Sequence, residues 1–105
     1  MDERTWAIEA HAALTQGRAV QVRPRGRSMS GRINDGDLVT LVPCRADELV
    51  VGDVVLVRVR GWLLVLHQIL DREPDRFLIG TTAGRADEWV SAEEVFGRVT
   101  KVESS

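Results

Sequence analysis

Three side chains of this 105-residue chain are of types that, brought together, activate a hydroxyl: Ser28, His67 and Asp87. Ser28 lies in GRSMSGRI (residues 26–33), His67 in the apolar run WLLVLHQIL (62–70) and Asp87 in GRADEW (84–89). A serine hydroxyl is a weak nucleophile at its free pKa. An imidazole that takes its proton, and a carboxylate that orients the imidazole, raise its reactivity. Each residue also has a plain structural use. A turn serine satisfies nearby backbone N–H groups, a histidine in an apolar strand is buried with one hydrogen-bond partner, and a loop aspartate is solvated or caps the following turn. Residue type alone leaves both readings open. The other histidine, His11, lies beside alanines on a helical segment and reads as a surface residue.

The elements that must position these side chains follow from pattern. Residues 3–16 put Trp6, Ala10, Ala13 and Leu14 at three- and four-residue spacings, and Gly17 supplies a stop, which predicts a short amphipathic helix. RAVQVRPRG (18–26) alternates through Val20 and Val22 until Pro24 and Gly26 interrupt it, so a short strand leads into the turn that carries Ser28. NDGDLVTLVP (34–43) is a turn and a strand closed by Pro43. The strongest apolar run, Val54 to Val59, and the run holding His67 predict a β-hairpin across Arg60 and Gly61. REPD (72–75) is a turn, RFLIG (76–80) a strand, TTAGRADEW (81–89) a loop, SAEEV (91–95) a single helical turn, and FGRVTKV (96–102) a closing strand. Short strands at close spacing predict a mainly β, compact, partly closed structure with a short N-terminal helix. The length predicts one domain over 1–105, with the β-domain spanning 19–102.

Composition narrows the classes of function. The hydrophobic fraction of 44% and charged fraction of 29% are those of a chain that buries a modest core. A formal net charge of -2 supplies no global basic field, which makes nucleic acid a poor partner. The single cysteine, Cys44, forms no internal disulfide, and no Cys/His spacing suits zinc, so neither metal nor cofactor is expected. No apolar run reaches the ~20 residues a membrane span needs, and no secretory leader pattern opens the chain, so a cytoplasmic protein without a transmembrane segment is expected. Arg23, Arg25, Arg27 and Arg32 surround Ser28 as a local basic patch, either a solvated rim or a site for an acidic peptide or phosphate.

GRSMSGRI resembles the nucleophile box of the signal peptidase I and LexA-type serine proteases, commonly Gly-x-Ser-Met-x-Pro-x-Leu/Ile. Gly26, Ser28, Met29 and Ile33 match, and Gly31 stands where proline is usual. DGDLVTLVP and VGDVVLVRV resemble the paired Gly-Asp strand openings that follow that box. LVLHQIL resembles the segment carrying the general base, with histidine as in the endoplasmic-reticulum and archaeal signal peptidases. IGTTAGRADEWVSAEEVFGRV resembles the Gly-Asp-Asn-Asn-x-x-x-Asp box and the Gly-x-Val closing strand. There Thr81 and Thr82 replace the Asp-Asn pair, while Gly80 and Asp87 keep the spacing. The only lysine is Lys101, so the resemblance is to the Ser-His kind of enzyme.

This resemblance, over residues 20–102, implies the LexA/signal peptidase type of β-fold and a serine endopeptidase that cleaves a specific peptide or protein partner. It implies Ser28 as nucleophile, His67 as base, Asp87 as the orienting acid and the backbone N–H of Ser28 as oxyanion donor, with Arg27, Met29 and Arg32 at the substrate rim. Two other readings stand beside it: a catalytically inactive peptide-binding or regulatory module of the same fold, and a nucleic-acid accessory domain using the arginine patch.

Overall fold

Closely spaced alanines and a glycine stop shape the first element. In the computed structural model, which describes residues 4–26 and 28–104, helix α1 runs Thr5–Thr15 and buries Ala7, Ala10, Ala13 and Leu14. Gly17, at a φ of 78°, ends it. Its N–H donates to the Leu14 carbonyl at 3.0 Å and that of Arg18 to the Ala13 carbonyl at 3.0 Å, the pair of bonds by which a left-handed glycine satisfies the last helical carbonyls. Arg4 and Gln16 are the flanking caps, so the expected span of 3–16 overruns the helix at both ends.

The strands are β1 (Val20–Val22), β2 (Leu38–Val42), β3 (Val54–Val59), β4 (Leu63–Glu73), β5 (Arg76–Gly80), β6 (Ala86–Ser91) and β7 (Val95–Glu103). They form one seven-stranded sheet of order β1-β2-β7-β3-β4-β5-β6, antiparallel at every junction. The fold is therefore mainly β with a short N-terminal helix, as expected. β3 to β6 follow one another as a meander, whereas β7 returns to pair between β2 and β3. No helix among the described residues is long and apolar enough to cross a membrane.

The unbroken apolar character of β3 has a structural reason: both of its faces are covered. Val54 and Leu56 face a core shared with Ala10 and Leu14 of α1, Met29, Ile33 and Leu66. Val55, Val57 and Val59 face a second core with Val65, Ile69, Phe77, Ile79 and Val90. The expected β3–β4 hairpin is present, with Val54 opposite Gln68 and Val59 opposite Leu63.

The chain departs from expectation after β5. Residues 81–89 do not form one loop, because β6 begins at Ala86 and pairs with β5, setting Phe77 opposite Val90 and Leu78 opposite Trp89. Strand pairing uses backbone groups, and this edge strand buries only Val90, so its sequence carries almost no apolar alternation. The predicted helical turn at 91–95 is a short 3₁₀ turn, Ala92–Glu94.

Candidate active site

Ser28 owes its position to the residues around it. Met29 and Ile33 keep only 4% of their surface exposed and pack into the core under α1, while Ser28 and Ser30 remain exposed. The turn is closed by its own hydrogen bonds. The N–H groups of Arg32 and Ile33 donate to the Met29 carbonyl at 3.1 and 2.7 Å, and that of Gly31 donates to Asn34 Oδ1 at 3.0 Å. Gly31 has a φ of 95°, whereas a proline ring fixes φ near about −65°, so this turn excludes proline at position 31. Across the turn, the Thr82 N–H donates to the Ser28 carbonyl at 3.3 Å and Thr82 Oγ1 to the Ser30 carbonyl at 3.0 Å. The loop between β5 and β6 thus braces the segment carrying the candidate nucleophile.

Three arginines of the patch serve this same segment. Arg23 donates to the Gly36 carbonyl at 2.9 Å, Arg25 pairs with Asp35 at 3.1 Å, and Arg32 donates to the Gly52 carbonyl at 2.6 Å and to Gln68 Oε1 at 3.1 Å. Their charges are engaged in holding the loop between β1 and β2 to itself and to the sheet.

His67 leaves β4 on the face of its register partner Val55, which belongs to the second core, and is 7% exposed. Its Nδ1 is buried without a hydrogen-bond partner and lies 3.8 Å from Asp87 Oδ2, beyond hydrogen-bond reach. Burial pulls the His67 pKa below the usual imidazole value. Asp87 opposes this shift, and Arg60 and Arg4 reinforce it. Asp87 is not the solvated loop acid its surroundings in the sequence suggest: it lies in β6 with its side chain 13% exposed. Ile79 pairs with Glu88 and Gly80 with Ala86, which makes Asp87 the extra residue of a β-bulge. Its carboxylate Oδ1 accepts a 2.6 Å hydrogen bond from the Arg60 guanidinium.

Ser28 borders two cavities. One, of about 260 Å³, is lined by Trp6, Met29, Ile33, Val65 and Leu66, with Arg4 and Arg25 among its polar residues. Val65 and Leu66 of β4 line this cavity, and His67, the next residue, does not. The other is an open cleft among Ser30, Thr81, Thr82 and Arg85. Among the described residues no three His, Cys, Asp or Glu side chains gather as a metal site requires.

The fold therefore brings His67 and Asp87 together and sets Ser28 on a braced turn beside the preceding residues of β4. No hydrogen bond joins Ser28 to His67 among the described residues. Of the expected rim residues, Met29 lines the cavity beside Ser28, Arg32 lines neither cavity that touches Ser28, and Arg27 lies outside the described residues. Three participants escaped the sequence reading. Arg60 was legible only as a hairpin residue, Thr82 only as a loop residue, and Trp6 only as a helix-face aromatic. No family model matches this chain, and no curated protein matches it.

Proposed function

We propose that this protein is a serine endopeptidase of the signal peptidase and LexA-like class, with Ser28 as nucleophile, His67 as general base and Asp87 as the acid that orients it. The observation that carries the reading is the approach of the Asp87 carboxylate to His67 Nδ1, 3.8 Å apart with both side chains largely buried. With Nδ1 directed at Asp87, the imidazole has Nε2 left for the serine proton.

In this mechanism Ser28 Oγ attacks the scissile carbonyl as His67 Nε2 takes its proton, and the same nitrogen returns the proton to the leaving amine. The backbone N–H of Ser28 meets the oxyanion. The hydrogen bond between Ser28 and His67 forms when peptide occupies the cleft, since catalytic hydrogen bonds commonly tighten only in the substrate complex. An extended peptide would lie along β1, which pairs with β2 alone and leads into the Ser28 turn. One of its side chains would enter the cavity floored by Met29 and Leu66.

A catalytically inactive peptide-binding module of the same fold is the second reading, favoured by the Asp87 oxygen that Arg60 occupies. Cleavage separates the two. Wild-type protein incubated with a proteome-derived peptide library should generate new termini that both Ser28→Ala and His67→Ala eliminate, while Ser28→Ala still retains bound peptide. Binding without cleavage by the wild type would establish the module and exclude the enzyme.

A further inference from the structure

The turn between β3 and β4 holds an unusual residue. Arg60 and Gly61 have φ values of 54° and 77°, and the Trp62 N–H donates to the Val59 carbonyl at 3.2 Å. This is the hairpin turn whose two central residues are both left-handed, a place suited to Asn-Gly or Gly-Gly. Arginine there works against its own Cβ, and it is the one non-glycine residue with positive φ among the described residues. Its contacts offset that strain. The Arg60 N–H donates to Glu88 Oε1 at 2.8 Å, and its guanidinium donates to Asp87 Oδ1 at 2.6 Å. Both partners are on β6, and the second is the bulged carboxylate that faces His67.

We propose that Arg60 is a positioning residue for the His67–Asp87 pair: it holds the Asp87 carboxylate against the hairpin turn, short of a hydrogen bond to His67 Nδ1, and the pair closes when this ion pair loosens. The inference rests on the peptidase reading for its functional consequence alone, because the contacts on which it is built exist whatever the site does. An orphaned buried Nδ1 beside a carboxylate already engaged elsewhere is the arrangement expected of a pair held apart. The charged groups that act on His67 are Asp87 from β6, Arg60 from the hairpin turn and Arg4 ahead of α1; its partner across β3, Val55, is uncharged. Arg60 is 55% exposed at its side chain, so its half of the ion pair is within reach of solvent.

The test is an NMR titration of His67 in the full chain, in a His11→Gln background that leaves one imidazole. Arg60→Asn removes the guanidinium and tolerates the left-handed backbone, and Arg60→Gly serves if the first variant folds poorly. Either should move the His67 midpoint to higher pH, because Asp87 is freed to bond the imidazolium and a repelling charge is gone. Arg60→Lys, which keeps the charge, should stay near the wild type. In an Asp87→Asn background the same Arg60 substitutions should raise the midpoint by much less, since only the lost repulsion remains, and an equal rise in both backgrounds also overturns the proposal. An unchanged or lowered midpoint in both Arg60→Asn and Arg60→Gly overturns the proposal. Where cleavage is measured, the acid limb of kcat/KM should move upward with the midpoint. A moved midpoint with no cleavage by any protein leaves the Arg60 inference standing and removes the peptidase reading.

Discussion

Ser28 is exposed while its neighbour Met29 and, four positions later, Ile33 are buried, so the packing of these two, with the Thr82 N–H on its carbonyl, sets its place. The glycine at 31, which in the sequence looks like a loosened version of a proline turn, is required by its positive φ, and Asn34 and the Met29 carbonyl supply the rigidity a ring would have given. Burial governs the chain's one thiol in the opposite sense. It pushes Cys44 up to about 11, with Glu48 adding to the shift, so the thiolate is scarce at neutral pH. Native protein at pH 8 should therefore react with a maleimide or disulfide reagent far more slowly than protein unfolded in guanidinium. Equal rates would show that the thiol is not protected as described.

At the scale of elements, local pattern was a good guide where an element buries a face and a poor one where it does not. The α1 stop at Gly17 and the β3–β4 hairpin were both legible, because caps and apolar runs are written in adjacent residues. β6 was illegible, since it is an edge strand with one buried side chain, and with it the place of Asp87 on a strand was lost. β7 runs between β2 and β3 with α1 packed over it at Gly97, where an added Cβ would lie 2.7 Å from the Val42 carbonyl oxygen and 2.8 Å from the Leu14 methyls. Gly97→Ala should destabilise the fold by about 1–3 kcal/mol, the usual cost of overpacking, read as a lowered urea midpoint. Combining it with Leu14→Ala should cost less than the sum of the two, because the methyls are one of the two obstacles. Strict additivity would place the strain at the Val42 carbonyl alone.

For the whole molecule, the sheet separates two cores, and His67 is a titratable group set on the side of the second, that of Val55. Its folded-state pKa lies below its unfolded value of about 6.5, so as pH falls the unfolded chain takes up this proton first. The stabilising share of the neutral imidazole is thus present above about pH 6.5 and is lost as pH falls below it toward the folded pKa. Urea melts should show stability declining through that window, with a shallower decline in His67→Gln; an identical slope would mean the imidazole is equally solvated in both states. Composition, helix, hairpin and the places of most strands along the chain were determined by the sequence, as was the candidate set of Ser28, His67 and Asp87, because those signals lie in runs of neighbours and in a resemblance of ordered motifs. Only the tertiary structure decided that β7 inserts between β2 and β3, that Asp87 lies 3.8 Å from His67, and that Arg60 grips it from 27 residues away. Strand partners and long-range ion pairs are chosen by how the whole sheet assembles, and no window of the chain contains both halves of that choice.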